Sequence, residues 1–545
     1  MNILSVNISN NKKALLILFI SLLTVVTVLT RTVNNEQNMQ WFDDSARDIT
    51  VAALIVENGK YTDIRPGTGF TLPLKNSSLY FNFLAGLYWL SGKNSSVFLD
   101  LYSTITGIIT VISIFFIGYI IYGFKLAIPA SLTVLIHPLV IFINVSVYQR
   151  YLLSSITPLF VLLTLIAFRA KKLIYLGIAT IIFLLLLASH YASLTFLPVF
   201  LGIHYEVLKI KNNKKNIFLY VLFLIISISA FLATVNVNLD NIPIPQLTEA
   251  VQFSFMTPMY QMFDFFQAIL NWDIKIFTIL LVAIVFLLVL KKKKKKIEKV
   301  FYWILTSYFL FQIVIVYALG LYNLTHVYFY HYLSIFMLVP YISVIYSTTK
   351  EGNQHISDIF LFIVFLSFAA YLLLFPQTKI DSKKDYFRTK LIAQKITEHN
   401  LQVNKLENYC PIVVDNTVWA STGWFGSSIN HHLIKNIDEY YSLRQNGNNL
   451  TYKTEHFDSF YLICRMWTEN EESFTYSSDL HTITKRCIDD LFTNHISEIK
   501  QNNVNIKTIF NEERESDDRF VVLFIKMNGY SISNDFLLDP WPTTY

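Results

Sequence analysis

The sequence predicts a polytopic α-helical membrane protein with about eleven transmembrane helices, followed by a C-terminal α/β domain outside the membrane. Of its 545 residues, 53% are hydrophobic and 16% are aromatic, and the mean hydropathy is +0.44. This composition is too apolar for an ordinary soluble domain. Long apolar runs recur along residues 1–376, and the composition turns polar from residue 377. We therefore predict a membrane domain over 1–376 and an extracytoplasmic α/β domain over 377–545.

The apolar runs are long enough to cross a bilayer, because most reach the roughly 17 to 25 residues that a membrane-spanning helix needs. The first run follows Lys12 and Lys13 and lacks a clear small-x-small cleavage site, so we interpret it as a membrane helix and not as a secretory signal. The predicted spans lie near residues 14–30, 97–122, 124–143, 151–168, 173–188, 191–208, 217–235, 275–290, 300–320, 327–347 and 358–376.

Cationic residues concentrate in one set of alternate loops, and Lys and Arg in short loops stay on the cytoplasmic side. The opposite short loops hold little beyond Arg150 and Lys275. The N-terminus is therefore predicted to be cytoplasmic, and an odd number of helices places the tail outside. The hexalysine run at 291–296 fits this pattern better than it fits a site for nucleic acid or anionic lipid. The cationic set comprises Lys12, Lys13, Lys125, Arg169, Lys171, Lys172, Lys209, Lys211, Lys214, Lys215, residues 291–296, Lys299 and Lys350.

Two outer segments, residues 31–96 and 236–274, are long for connections in a compact body. The first contains two patterns with apolar residues at helical spacing, and we predict two helices in the membrane interface with their aromatic side at headgroup level. The pattern "SARDITVAALIVEN" aligns Ala46, Ile49, Ala53 and Val56. The pattern "NSSLYFNFLAGLYWLSG" aligns Leu79, Phe83, Leu87 and Leu90, ends at Gly92 and carries Tyr80, Tyr88 and Trp89.

The tail from residue 377 is long enough to form its own core. The runs "PIVVD", "SFYLICRM" and "RFVVLFIKM" predict strands that alternate with helical stretches, which is typical of a small α/β domain. The three cysteines of the chain, Cys410, Cys464 and Cys487, all fall in this tail. An oxidising compartment would permit one disulfide, for instance between Cys464 and Cys487, and their spacing does not indicate a metal site.

The sequence contains no Gly-rich phosphate loop after a strand, no Walker A motif, no G-x-S-x-G elbow and no H-E-x-x-H motif, so nucleotide chemistry on the cytoplasmic side is not expected. Chemistry would depend instead on ionisable residues at the outer membrane face. These are Asp43, Asp44, Asp48, Arg65, Lys75, Arg150, His190, Asp264, His326 and His331.

Several of these residues also have a structural interpretation. Asp44 could cap the helix that begins at Ser45, with Asp48 completing a variant capping box. Lys75 could be a snorkelling anchor and Arg150 an interfacial anchor.

The histidines differ in how well their surroundings explain them. His190 could be a polar cap of a helix hairpin. In "LTHVYFYHYL" an aromatic belt explains the tyrosines, among them Tyr328, but it does not explain His326 and His331.

The segment "FDDSARDITVAALIVENGKYTDIRPGTGFTLPLKNSSLYFNFLAGLYWLSG" resembles the first outer loop of the GT-C superfamily of polyprenyl-phosphate-sugar glycosyltransferases, which includes protein O-mannosyltransferases and the aminoarabinose transferase of lipid A. That loop has an acidic pair before an interfacial helix, a "G-x-Y" stretch, and a lysine before a short second helix. The matching residues are Asp43 and Asp44 for the acidic pair, Gly59 and Tyr61 for the stretch, Lys75 for the lysine, and Leu79 and Tyr80 for the second helix.

A later segment, "HYLSIFMLVP" from His331 to Pro340, is similar to the "H-Y-L-x-P-x-x-P" start of a late helix in this superfamily. Two departures stand out. Asn76, Ser77 and Ser78 replace the prolines of the second helix, and the second outer loop, "NVSVYQRY", has no carboxylate. The second departure weakens the prediction of a metal held between two acidic loops. Whether a divalent metal assists the reaction is therefore left open, and no residue is assigned as a metal ligand.

The resemblance implies a GT-C-like membrane glycosyltransferase in a bacterial inner membrane, with a polyprenyl-phosphate-sugar donor and a lipid-linked glycan, surface polysaccharide or protein acceptor. Asp43 and Asp44 would be catalytic, and Lys75, Arg150 and His331 would bind the donor phosphate. Further candidates for substrate binding are Arg65, His190, His326 and Tyr328. Membrane lipids are expected partners and nucleic acid is not.

Three other functions stay open at this point. A transporter or flippase of lipid-linked glycans would place ionisable residues inside its helices near the bilayer midplane. A polysaccharide polymerase or ligase would have its large outer loop between late helices. A receptor would bind ligand in the tail domain without catalysis.

Overall fold

The computed structural model describes residues 10–33, 78–189, 191–210, 214–234, 412–414, 456–457, 459–466, 504–511, 519–528 and 532–533, with further single residues between 45 and 56, between 303 and 345, and between 391 and 402. The chain divides into two compact units. The first consists of Met1–Met39 and Arg65–Ile380, and the second consists of Gln40–Ile64 and Asp381–Tyr545. The second unit thus combines part of the first outer loop with the C-terminal segment.

The described part of the first unit is helical, as predicted from its apolar runs. Its elements are α1 (Asn10–Thr32), α2 (Ser78–Leu90), α3 (Ser95–Tyr122), α4 (Phe124–Ile136), α5 (Pro138–Val145), α6 (Gln149–Ala170), α7 (Leu173–Ser189), a 3₁₀ turn (Tyr191–Phe196), α8 (Leu197–Ile210) and α9 (Lys214–Thr234). Among the described residues, three helices are long and apolar enough to cross a membrane: Ala14–Thr32, Ser96–Tyr122 and Gln149–Ala170. The predicted spans at 275–290 and 358–376 lie outside the described residues.

The predicted span at 124–143 is not one straight helix. It is broken into α4 and α5, whose axes differ by 65°. The break follows from Pro138, which has no N–H to continue the hydrogen-bond ladder of α4. His137 donates its backbone N–H to the Thr133 carbonyl at 3.0 Å as the last bond of α4, and its own carbonyl accepts the first bonds of α5.

The predicted span at 191–208 is also interrupted. Its first six residues form the 3₁₀ turn, and α8 starts only at Leu197. Pro198 explains this boundary, because a proline is tolerated in the first turn of a helix but ends the ladder before it.

The directions of the helices show that several connecting turns lie at one end of the bundle. α3 and α6 run parallel, since the Thr110 hydroxyl donates to the Ser155 carbonyl at 3.2 Å and the Arg169 guanidinium donates to the Ile120 carbonyl at 3.4 Å. α4 and α7 return from the ends of α3 and α6 through short turns. We call this end the cationic end and the opposite end, where α6 begins, the Arg150 end. The described cations at the cationic end include Lys125, Arg169, Lys171 and Lys172.

This clustering is what the positive-inside prediction requires of the first unit. The side of the membrane that the cationic end faces stays a prediction.

The second predicted interfacial helix is present as α2, but the protein buries its tyrosines, which were predicted to lie at headgroup level. Tyr80 and Tyr88 are buried at 1% and 4% exposure. Of the predicted apolar stripe, Leu87 is buried at 4% exposure and Leu90 is 64% exposed. The reason is that α2 packs against α3 and α7. The Tyr88 and Phe98 ring centroids lie 5.9 Å apart in an edge-to-face contact. Its aromatic side is therefore largely inside the protein, although Trp89 is 66% exposed.

The second unit contains a four-stranded sheet. The strands are β1 (Ile412–Val414), β2 (His456–Phe457), β3 (Ser459–Met466), β4 (Val504–Asn511), β5 (Arg519–Met527) and β6 (Ile532–Ser533). The sheet order is β1-β3-β5-β4, with β1 and β3 parallel and the other pairs antiparallel, and β2 pairs with β6. Three predicted strands are confirmed as β1, β3 and β5, whereas β4 was not predicted.

The core of the second unit includes a buried histidine. His399 packs against the rings of Phe524 and Tyr461, with centroids 4.8 and 5.9 Å away. Its Nδ1 lies 3.1 Å from the Tyr461 hydroxyl, and the Lys507 ammonium lies 3.5 Å from its Nε2. Burial and, secondarily, the positive charge of Lys507 lower the pKa of His399 below its ordinary value.

We expect the second unit to lose stability as the pH falls through about 6.5, the ordinary pKa of histidine in an unfolded chain. Below that pH the unfolded chain binds a proton that folded His399 resists, so the free energy of unfolding decreases. Hydrogen exchange of the β5 amides in the full chain, corrected for intrinsic rates, would measure this. His399→Gln, which cannot titrate, should remove this part of the pH dependence, and an unchanged profile in that variant would contradict the assignment.

Candidate functional site

Arg150 is the predicted phosphate-binding residue that lies within the described residues. It is the second residue of α6, and its guanidinium carbon lies 5.7 Å from the centroid of the Tyr148 ring, in cation–π range. The predicted site residues outside the described residues are Asp43, Asp44, Arg65, Lys75, His190, His326, Tyr328 and His331.

The start of α6 has features of an anion-binding position. Its N-cap residue, Tyr148, makes no side-chain hydrogen bond to the helix, so the first backbone N–H groups have no side-chain cap. The positive end of the helix dipole and the Arg150 guanidinium both favour negative charge there. Gln149 is 3% exposed, and its amide nitrogen has no hydrogen-bond partner among the described residues.

Tyr332, the neighbour of His331, lies deeper in the bundle than Arg150. Its ring centroid is 4.7 Å from that of Phe196, which in turn lies 5.9 Å from that of Phe160. Phe160 is ten residues beyond Arg150, or about 15 Å along the axis of α6.

The helix predicted to follow the acidic pair is confirmed at its described residues, which are 45, 48, 49, 52, 53, 55 and 56. Ile49 and Ala53, two members of the predicted apolar stripe, are buried at 4% and 2% exposure. The Ser45 hydroxyl is buried and has no hydrogen-bond partner among the described residues. The Ser45 half of the predicted capping box is therefore not formed there.

Arg31 is a buried cation that the sequence analysis did not single out. It follows the first apolar run directly, which is typical of an anchor at the membrane surface, yet its side chain is fully buried. Its guanidinium donates to the Thr30 hydroxyl at 2.8 Å, to the Leu135 and Val134 carbonyls at 2.6 and 3.4 Å, and to Asn144 Oδ1 at 3.3 and 3.4 Å. These hydrogen-bond acceptors of Arg31 are all neutral oxygens.

The break at Pro138 supplies two of these acceptors. In an unbroken helix the Val134 carbonyl would accept from the N–H of residue 138, which proline lacks. The Val134 and Leu135 carbonyls lie at the C-terminus of α4, and Arg31 reaches them from α1. A cation at a helix C-terminus also interacts favourably with the helix dipole.

Asn144 connects Arg31 to two further helices. Its amide nitrogen donates to the Thr110 hydroxyl at 3.1 Å and to the Ser155 hydroxyl at 2.9 Å. Its backbone carbonyl accepts from the Thr106 hydroxyl at 2.7 Å. Arg31 and Asn144 thus join α1, α3, α4, α5 and α6 in one buried polar network, which we call the Arg31–Asn144 network.

The helix directions also show at which end α1 stops and α3 starts. Arg31 lies in the last turn of α1 beside Asn144, and Asn94 caps the start of α3. Because α3 and α6 are parallel, Asn94 and Arg150 lie at the same end of the bundle. The end of α1 and the start of α3, which the first outer loop connects along the chain, therefore both lie at the Arg150 end.

A second buried polar cluster joins α7, α8 and α9. His204 Nδ1 donates to the Phe200 carbonyl at 2.7 Å, so Nε2 is the nitrogen that accepts from the Tyr220 hydroxyl, 2.6 Å away. The Thr180 hydroxyl lies 3.0 Å from that of Tyr220. Beside this cluster an open apolar groove of about 460 Å³ runs between α7 and α9. Because Lys172 lines the groove, the groove lies toward the cationic end of the bundle and away from Arg150.

Among the residues that the structure describes, no group of three or more His, Cys, Asp or Glu side chains could hold a metal ion. The described part of the chain therefore offers no set of ligands for a divalent metal.

The long apolar helices define the class of this chain as an integral membrane protein of the α-helical type. Neither a protein-family model nor a curated protein matches the sequence. Solved structures do match: the chain is similar to ArnT from Cupriavidus metallidurans bound to undecaprenyl phosphate, with a TM-score of 0.47 and 10% identity over 94% of this chain and 98% of that one. The apo state of the same protein gives a TM-score of 0.47 and 12% identity over the same shares.

Proposed function

We propose that this protein is a membrane glycosyltransferase that transfers a sugar from a polyprenyl-phosphate-linked donor to an acceptor on the outer face of the membrane. The observation that carries the proposal is the convergence at the Arg150 end. The loop whose sequence resembles the first GT-C outer loop connects α1 to α3, and the last turn of α1, the start of α3 and Arg150 in the first turn of α6 all lie at that end. The acceptor would be a lipid-linked glycan, a surface polysaccharide or a protein.

The proposed reaction needs two kinds of side chain. Charge builds on the departing phosphate while the sugar gains oxocarbenium character. The reaction therefore needs a base that accepts the proton of the acceptor hydroxyl, and cationic or hydrogen-bonding groups that stabilise the phosphate. Asp43, with Asp44 beside it, would take the proton of the acceptor hydroxyl as its oxygen bonds to the anomeric carbon. The bond between that carbon and the phosphate oxygen breaks, polyprenyl phosphate leaves, and the anomeric carbon is inverted.

The leaving phosphate would be held by Lys75, Arg150 and His331. Arg150 suits this role because a guanidinium binds two phosphate oxygens at once. The cation–π contact with Tyr148 limits the directions in which its side chain can point.

The direct test uses the purified full-length protein in lipid vesicles with a panel of polyprenyl-phosphate-linked sugars. Release of polyprenyl phosphate, separated by chromatography, is expected with at least one donor in the presence of cell-envelope acceptor, and heat-inactivated protein is the control. If every donor stays intact, the proposal is wrong. Donor that crosses the bilayer unbroken would instead identify a transporter.

The transporter alternative has one supporting observation. Arg31 and His204 are ionisable and buried among helices, as a transport pathway would require. Both side chains, however, are hydrogen-bonded to carbonyls of the bundle, which indicates fixed structural roles.

We expect Arg150→Gln to raise the KM for the donor roughly 10- to 100-fold, the effect of losing charge-assisted hydrogen bonds to a phosphate. Arg150→Lys should recover part of this loss, since it keeps the charge but not the two-pronged geometry. Donor titration of the purified variants measures both effects.

The matched control for Arg150 is Arg169→Gln, which removes an exposed arginine from the other end of the same helix. Its donor KM should stay at the wild-type value. Equal effects of the two substitutions would show that Arg150 acts only through net charge, and would remove it from the site.

A further inference from the structure

The segment between Asn144 and Ser155 forms a closed corner in the first unit. Asn144 lies in the last turn of α5, Ser155 lies in the second turn of α6, and their side chains are joined by the 2.9 Å hydrogen bond from the amide to the hydroxyl. We call residues 145–154 between them the α5–α6 corner. Arg150 lies in the middle of this corner, and Val147 within it is fully buried.

The Asn144 amide closes the corner in one orientation only. Its nitrogen must face Thr110 and Ser155, so its oxygen must face the other way. Arg31 has donors and no acceptors, and two of its nitrogens lie 3.3 and 3.4 Å from that oxygen. If the amide were flipped, its NH2 group would face the N–H donors of Arg31. Arg31 therefore fixes the orientation that closes the corner.

Arg31 is itself held in place from several sides. The α4 carbonyls accept from it, and the α3 backbone approaches it closely at Gly107, where an added Cβ would lie 2.9 Å from Arg31 Cγ. A cation is costly among apolar helices, and every nitrogen of the Arg31 guanidinium has an acceptor that offsets this cost.

We propose that Arg31 is a positioning residue, which through Asn144 holds the α5–α6 corner and thereby aims Arg150 at an anionic phosphate of the substrate. The link from Arg31 to the corner stands on the hydrogen bonds alone. The purpose of that link rests on the proposed function, in which Arg150 binds the donor phosphate.

The test of the corner does not depend on activity. Cys410, Cys464 and Cys487 are replaced by Ser in the full chain, and a single thiol is introduced by Val147→Cys or, as a control, by Leu165→Cys, which is also fully buried but lies toward the other end of α6. The rate of modification by N-ethylmaleimide reports how often each position opens.

Adding Arg31→Met should raise the modification rate at position 147 at least about tenfold and leave position 165 unchanged. Arg31→Lys keeps a cationic donor, so its modification rate at position 147 should lie between those of Arg31→Met and the wild type. An unchanged rate at position 147, or equal increases at both positions, would overturn the proposal, the second by showing general loosening of the bundle.

Ser155→Ala is a second variant, which leaves Arg31 and its acceptors intact. It removes the hydroxyl that accepts the 2.9 Å bond from the Asn144 amide, so position 147 should again open while position 165 does not. Protection of position 147 in this variant would show that this hydrogen bond does not close the corner.

Donor titration then tests the purpose. Arg31→Met is expected to lower kcat/KM about 10- to 100-fold through the donor KM, as a small misplacement of a binding group does. When combined with Arg150→Gln it should add little further loss. Additive losses would overturn the link to Arg150, whereas a wild-type protein without transfer would overturn the proposed function and leave the labelling result standing.

Discussion

Asp43→Asn is expected to lower kcat roughly 100- to 10,000-fold with little change in the donor KM. Asparagine has nearly the shape of aspartate but cannot accept the proton of an attacking hydroxyl, so the loss falls on the chemical step. Asp44→Asn should have a smaller effect, because the helix start beside Asp44 offers it a capping role. The measurement is transfer of labelled sugar in membranes that contain equal amounts of each variant.

Asp43→Glu distinguishes a base from a charge that merely organises the loop. It retains the carboxylate and displaces it by one methylene group, so it should recover part of the activity that Asp43→Asn loses. Full transfer by both Asn variants would disprove the assignment of a catalytic base to the acidic pair. A loss in Asp44→Asn alone would move the assignment to Asp44.

The parts of the fold that follow from local pattern could be predicted from the sequence. Long apolar runs predicted α1, α3 and α6, and shorter continuous apolar runs predicted β3 and β5. In β5, Val521, Val522 and Leu523 are all fully buried. Strand β4 was missed because the apolar residues of "VNIKTIFN" form neither a continuous run nor a full alternation. Val504 and Ile506 alternate with polar residues, but Ile509 and Phe510 follow one another where the pairing of β4 with β5 shifts register.

The parts that depend on contacts between distant residues could not be predicted. Arg31 follows an apolar run as an interfacial anchor would, and its burial depends on the α4 carbonyls about 100 residues away. The broken helix was readable in principle from "IHP", since Pro138 must interrupt a ladder. The sequence does not show which group donates hydrogen bonds to the α4 carbonyls that the break leaves without a backbone partner. The burial of the α2 tyrosines was missed for the same reason, because α3 and α7 determine which side of α2 is buried.

Gly118→Ala is expected to destabilise the first unit by about 1–3 kcal/mol, the usual cost of overpacking. Gly118 lies in α3 where α4 crosses it closely, and an added Cβ would lie 2.8 Å from Ala127 Cα and 2.9 Å from Ala127 N. Both atoms belong to the backbone, so no side-chain movement can relieve the clash. The two helices would have to separate, with loss of the close packing that small residues allow.

The matched control is Gly86→Ala in α2, where an added Cβ would meet no atom within 4 Å. There the substitution should stabilise the helix by about 0.5–1 kcal/mol, because alanine restricts the unfolded chain more than glycine does. Denaturation of the purified protein in mixtures of mild detergent and dodecyl sulfate would compare the two. Opposite signs are the expected result, and equal effects would show that α3 and α4 are not held together by this close backbone contact.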